Sequence, residues 1–78
     1  METSTRVIAV LQKSLMLDPE RFAPTALLVD DLGVSSLDRF ELLMDLEDEF
    51  KIEMNETELV SVRTVGDLTA YIQARLAA

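Results

Sequence analysis

Apolar residues recur every three or four positions in three separate stretches of this 78-residue chain. That spacing places side chains on one face of an α-helix, whereas a half-buried strand would show strict alternation. The first stretch covers residues 3–16 and the second covers residues 37–50. The third begins at Thr64, which is followed three residues later by Asp67, a pairing typical of helix starts. The spacing therefore predicts three main helices and no sheet.

The connections between these stretches differ in length. Residues 17–34 contain Pro19 and Pro24, and their apolar side chains follow no clean period, which predicts a long ordered loop pinned to the core. After the second stretch, Asn55 can cap a short helix over residues 56–60. The predicted fold is all-α, a four-helix bundle of three main helices and one short helix with a long first loop.

Negative charge is concentrated in the middle of the chain. Residues 30–58 carry eleven acids against two bases, a balance of minus nine, while the rest of the chain has a balance of plus one. A field of this sign disfavours nucleic acid and anionic lipid, and it favours partners with basic surfaces.

The second helix carries much of this charge on one face. Most of its apolar residues fall in a broad arc, and most of its acids lie opposite. Glu41 with Asp45, and Asp45 with Glu49, are like-charge pairs four residues apart, an arrangement that destabilises an isolated helix. A helix face selected only for stability in water would avoid such repulsive pairs. We therefore expect the acids to bind partner proteins. The predicted partner-binding residues are Asp38, Glu41, Asp45, Glu47, Asp48 and Glu49.

Composition excludes several kinds of activity. The chain has no cysteine and no histidine, so it lacks a thiol nucleophile, a thiolate metal site and the usual general base near neutral pH. Gly33 lies fourth from Asp30 where a calcium loop needs its glycine sixth, so we expect no metal site. No apolar run approaches the roughly 18 residues that span a bilayer. We expect residues 1–78 to form a single domain, a cytoplasmic monomer that does not insert into a membrane.

Two adjacent serines stand at the start of the second helix. Ser35 and Asp38 form an S-x-x-D pair close to a capping box, so Ser35 can cap the helix. Ser36 is then left with a hydroxyl that has no obvious structural role. The sequence does not support a serine hydrolase, because it offers no base for Ser36: neither Lys13 nor Lys51 lies in a recognisable motif with it.

Around Ser36 the sequence resembles the acyl carrier proteins, small helical carriers modified on a serine in an Asp-Ser-Leu motif. The resemblance rests on Ser36-Leu37, on Asp31-Leu32-Gly33 before it, and on the segment from Leu46 to Phe50 after it. It extends to the long loop and to the start of the last helix. The resemblance implies that Ser36 carries covalent 4′-phosphopantetheine, with acyl groups held as thioesters on its terminal thiol. The protein would be a carrier and not an enzyme.

The resemblance also implies partners and a cargo site. A phosphopantetheinyl transferase would read the acidic second helix, and acyl-transferring and condensing enzymes with basic surfaces would use the loaded carrier in fatty acid or specialised lipid or polyketide biosynthesis. Acyl chains can slip between the helices in this family. The matching positions here are Leu46, Phe50, Val62 and Leu68.

Two residues depart from the family pattern. Ser35 replaces the usual aspartate, which removes a negative charge beside the attachment point, and Arg39 places a positive charge early in the helix. Both changes suggest a specialised carrier. The alternative is an unmodified acidic helical interaction domain that binds basic partner proteins, in which Ser36 only helps to cap the helix.

Overall fold

Three α-helices form the body of the protein in a computed structural model, which describes residues 2–77. Their bounds are Thr3–Leu15 for α1, Ser36–Phe50 for α2 and Val65–Ala77 for α3. Within the described residues, extended pairing is limited to one isolated bridge between Leu27 and Thr64. The predicted all-α fold with three main helices is therefore confirmed.

The predicted short helix over residues 56–60 is a 3-10 turn over Glu58–Ser61. Asn55 explains the shift, because its side-chain oxygen accepts hydrogen bonds from both the backbone N–H (2.9 Å) and the hydroxyl of Thr57. This local turn occupies the residues where the helix was expected to start. A second 3-10 turn, Pro19–Arg21, lies in the first loop.

The core forms where α1 packs against both α2 and α3. Val7, Leu11 and Ile72 are completely buried, and Leu46 of α2 is 1% exposed. Side chains from the long loop complete the core, as expected from its apolar residues. These buried loop residues are Phe22, Ala26, Leu32 and Val34.

Backbone hydrogen bonds join the long loop to the start of α3. The N–H of Leu28 donates to the carbonyl of Arg63 (2.9 Å), and the N–H of Val65 donates to that of Ala26 (3.1 Å). Gly66 donates to the carbonyl of Pro24 (2.9 Å), and a Cβ at this position would lie 2.9 Å from the same oxygen. Glycine therefore permits the loop to approach α3 this closely.

The predicted pairing at the start of α3 is present. The hydroxyl of Thr64 accepts from the N–H of Asp67 (3.0 Å), and the carboxylate of Asp67 accepts from the N–H groups of Arg63 and Thr64, both at 3.2 Å. Hydrogen bonds from the backbone of Arg63 and then Thr64 lower the pKa of Asp67 below its ordinary value of 3.8. The charged form of Asp67 therefore stabilises the folded chain.

We expect Asp67→Asn to destabilise the protein at neutral pH and to have little effect in strong acid. Because the folded pKa is lowered, the contribution of Asp67 is fully present above the unfolded pKa near 3.8. It is lost as the pH falls through the folded pKa. Urea unfolding of both proteins between pH 7 and pH 2.5 measures the difference in free energy. A difference that stays constant over this range would contradict the assignment.

Candidate functional site

Ser36 is the first residue of α2, and its side chain is exposed. Ser35 precedes it as the N-cap residue. The hydroxyl of Ser35 accepts from the N–H of Asp38, and the carboxylate of Asp38 accepts from the N–H of Ser35, both at 3.1 Å. This complete capping box uses the Ser35 side chain, while the Ser36 hydroxyl makes no hydrogen bond to any residue in the range 2–77.

The backbone around Ser36 is held in place by the preceding loop. Gly33 adopts the left-handed conformation with φ of 70°, which favours glycine, and its N–H donates to the carbonyl of Val29 (3.0 Å). Val34 is buried and donates to the carbonyl of Leu28 (2.9 Å). The chain therefore enters α2 in one fixed direction with Ser36 on the outside.

The start of α2 is favourable for negative charge. The first N–H groups of a helix have no partner within the helix, and the helix dipole adds partial positive charge there. The N–H of Asp38 is already bonded to Ser35, whereas those of Ser36 and Leu37 lie ahead of the first intrahelical bond, which Arg39 donates to the carbonyl of Ser35 (2.9 Å). An anionic group on the Ser36 oxygen would therefore lie beside unpaired donors.

Four of the six predicted partner-binding acids are engaged within the protein. Besides Asp38 in the capping box, Asp45 accepts from the hydroxyl of Ser14 (2.8 Å), and Glu47 accepts from the N–H of Met54 (2.9 Å). Glu49 forms an ion pair with the guanidinium of Arg6 (3.0 Å). Arg6 also lies over the ring of Phe50, 4.4 Å from its centroid.

Glu41 and Asp48 are the remaining two predicted partner-binding acids. Both are exposed, and neither carboxylate makes a hydrogen bond or ion pair with the described part of the chain. Their negative charges are therefore the most available of the six to a partner.

Three apolar side chains on α2 are also exposed. Leu37, Phe40 and Met44 have exposed fractions of 68%, 52% and 55%. Their spacing of three and four residues places them in one line on the helix, which we call the apolar stripe. Glu41 and Asp48 each follow a stripe residue by four positions, so they border the stripe. All three residues belong to the broad apolar arc predicted for this helix, and the sequence pattern did not predict that they form an exposed surface.

The predicted cargo residues divide between different surroundings. Leu46 and Leu68 border a small apolar cavity of about 40 Å³ between α2, α3 and the long loop. Val62 borders an adjacent groove of about 250 Å³. Phe50 is buried and packs beneath Arg6. The structure thus brings two of the four residues together in one cavity.

The other side chains around the cavity were not identified from the sequence. Apolar periodicity indicates burial, and it does not distinguish a side chain beside a gap from one in close contact. The additional lining residues are Leu28, Val29, Val34, Arg39, Leu42, Leu43 and Leu59.

Residues 2–77 contain neither a metal-binding cluster nor a membrane-spanning helix. Within that range no three carboxylates are arranged to hold a metal ion. None of the helices described there is long and apolar enough to cross a membrane.

Comparison with known proteins gives one consistent family. The sequence profile of the phosphopantetheine attachment site matches residues 5–72. An acyl carrier protein of Thermotoga maritima is 36% identical over 75 residues, which cover 96% of this chain and 93% of that protein. An acyl carrier protein of Phenylobacterium zucineum is 42% identical over 73 residues, covering 94% and 92%.

These matches confirm both the resemblance drawn from the sequence and the expectation of covalent 4′-phosphopantetheine. They also confirm a carrier protein in place of an enzyme. With a helical bundle, an exposed serine at a helix start and matches over almost its whole length, the chain belongs to the acyl carrier protein family.

Proposed function

We propose that this protein carries acyl intermediates as thioesters on a 4′-phosphopantetheine arm attached to Ser36, and that it presents them to enzymes of fatty acid or specialised lipid or polyketide biosynthesis. The proposal rests mainly on the different roles of the two adjacent serines. Ser35 is occupied by the capping box, and Ser36 offers an exposed hydroxyl on a rigid helix end.

The residues around Ser36 fit the phosphate of such an arm. Attachment would place the phosphate beside the free N–H groups of the first turn of α2 and at the positive end of its dipole. Because the chain contains no cysteine, the arm supplies the thiol that forms the thioester. The protein's own part is to anchor and orient the arm.

Partner docking in this proposal uses the apolar stripe together with the acids that border it. Apolar residues at the centre of an interface contribute most of its binding energy, while charges at the rim steer the encounter. Glu41 and Asp48 can meet basic partners without giving up an internal bond. Asp38, Asp45, Glu47 and Glu49 add to the negative field, although each also holds a contact within the protein.

The partners must bind in a fixed order, because the arm has to be attached before it can be loaded. A phosphopantetheinyl transferase must reach Ser36 and α2 first, and the acyl-transferring and condensing enzymes bind the modified carrier afterwards. A cytoplasmic location and a monomeric state stay predictions.

The apolar cavity beside Leu46 and Leu68 is the proposed entry for an acyl chain. Its volume of about 40 Å³ is comparable to that of a single water molecule, so a longer chain must widen it. Val62 borders the adjacent groove, so it would contact the acyl chain if the cavity widened toward that groove. Phe50 lies one helical turn beyond Leu46 on α2, buried beneath Arg6, and it borders neither the cavity nor the groove. An acyl chain would reach it only by extending past Leu46.

Intact-mass measurement tests the attachment. Incubation with coenzyme A and a phosphopantetheinyl transferase is expected to add the mass of one phosphopantetheine to the wild-type protein and none to Ser36→Ala. Ser35→Asp is the matched control, because aspartate also caps a helix but offers no hydroxyl. This variant should gain the full increment. Two results would overturn the proposal. An increment that persists in Ser36→Ala would show that the arm is attached at another residue. No increment in the wild type with any of several transferases would support an unmodified interaction domain.

A further inference from the structure

Arg39 borders three neighbouring depressions in the protein surface around α2. These are the apolar cavity beside Leu46, the larger groove that contains Val62, and a third depression at Ser36, which we call the Ser36 depression. The other residues that line the Ser36 depression are Phe40, Leu43, Glu56, Leu59 and Val60. Arg39 is therefore common to all three, so a group attached at Ser36 that extended toward the cavity or the groove would pass close to it.

Arg39 is also the only cation among the fifteen residues of α2. Its guanidinium makes no hydrogen bond or ion pair with any residue in the range 2–77, although two acids border the same depressions. Glu56 lies with it around the Ser36 depression, and Asp30 lies with it along the larger groove. The guanidinium is thus available to an anion arriving from Ser36.

Ser36 and Arg39 are three residues apart on one helix, a spacing that makes side chains neighbours. A phosphodiester on the Ser36 oxygen carries one negative charge and two free oxygens. The guanidinium matches such oxygens with parallel N–H donors, which a lysine ammonium cannot do. The aliphatic part of Arg39 can meanwhile remain against the apolar lining of the cavity.

We propose that Arg39 pairs with the phosphodiester of the arm and directs the arm into the Ser36 depression, between α2 and the 3-10 turn Glu58–Ser61. This inference rests on the proposed attachment at Ser36. Arg39 is a positioning residue, because it acts on the anchor of the arm and not on the thioester. Paired arrangements should outnumber open ones about two- to five-fold, as for an exposed ion pair.

Phosphorus-31 NMR of the modified protein tests the pairing, after intact mass has established full modification of each sample. The variants are Arg39→Gln, Arg39→Lys and, as the matched control, Arg63→Gln. Arg63 borders the larger groove but not the Ser36 depression, so its removal takes away an equal charge without the proposed contact. Because both arginines are exposed, the variants should retain the fold, which an amide proton–nitrogen spectrum checks.

We expect the phosphodiester resonance to shift in Arg39→Gln, to shift less in Arg39→Lys, and to stay at the wild-type position in Arg63→Gln. Raising the salt concentration should move the wild-type resonance toward that of Arg39→Gln. The side-chain Nε signal of Arg39 should also move when the unmodified protein gains its arm.

Two results would overturn the pairing while leaving the attachment intact. One is a resonance at the same position in Arg39→Gln and wild type, and the other is an equal shift in Arg63→Gln, which would indicate only a general field. Failure to modify Ser36 at all would instead remove the proposed function and this inference together.

Discussion

Replacing Leu46 with alanine is expected to lower the free energy of unfolding by about 2–5 kcal/mol, the range for truncating a buried leucine. Leu46 is 1% exposed, and it lies where α2 meets the core. The variant loses apolar contacts and enlarges the cavity that Leu46 already borders. Since small domains are only marginally stable, this is a large part of the total.

Leu37→Ala is the matched control for this loss, because it makes the same substitution in the same helix at a side chain that is 68% exposed. Its free energy of unfolding should change by no more than about 0.5 kcal/mol. Urea unfolding followed by circular dichroism measures both variants. If Leu46→Ala and Leu37→Ala unfolded at the same urea concentration, Leu46 would not be part of the packed core.

Replacing Phe40 with alanine is expected to weaken binding to a phosphopantetheinyl transferase by at least about 30-fold, the effect of losing a contact of roughly 2 kcal/mol. Phe40 is 52% exposed in the centre of the apolar stripe, and it also borders the Ser36 depression. An enzyme that reaches the Ser36 oxygen must therefore cover this ring, and aromatic side chains are frequent anchors of interfaces.

Val29→Ala controls for the loss of an exposed apolar side chain elsewhere. Val29 is 53% exposed, but it belongs to the long loop and not to the apolar stripe. Surface plasmon resonance with an immobilised transferase compares the dissociation constants. Val29→Ala should bind as tightly as the wild type. If Phe40→Ala did so as well, docking through the apolar stripe would be refuted.

The main helices could be predicted from the sequence because their signals are local. The capping box of Ser35 and Asp38 and the pairing of Thr64 with Asp67 each lie within four residues. Apolar spacing then gives the length of each helix. The turn at Asn55 is also local, but its side chain favours either a helix cap or a tight turn, and the pattern alone did not decide between them.

The exposed stripe on α2 could have been anticipated from the width of the apolar arc. A helix on the surface of a core needs an apolar face not much wider than about 100°, so a much wider arc indicates a second apolar face. In the structure Leu42, Leu46 and Phe50 are buried, whereas the stripe faces solvent.

The internal contacts of the acids could not be predicted in this way. Glu49 meets Arg6 from α1, and Asp45 meets Ser14, which are partners 43 and 31 residues away in sequence. Such pairs depend on how the helices pack against each other. The same applies to Arg39, whose position among three depressions follows from the loop and α3 as well as from its own helix.

The backbone bonds between the long loop and α3 limit how the interior can expand. On that side, separation would break the bonds of Leu28, Val65 and Gly66 together, so those amides should exchange slowly with solvent deuterium. On the α2 side, the partly buried Leu43 can change rotamer at much smaller cost. For the proposed binding of acyl chains in this interior, a short chain would need only the rotation of side chains. A longer chain would also have to break these backbone hydrogen bonds, which open together.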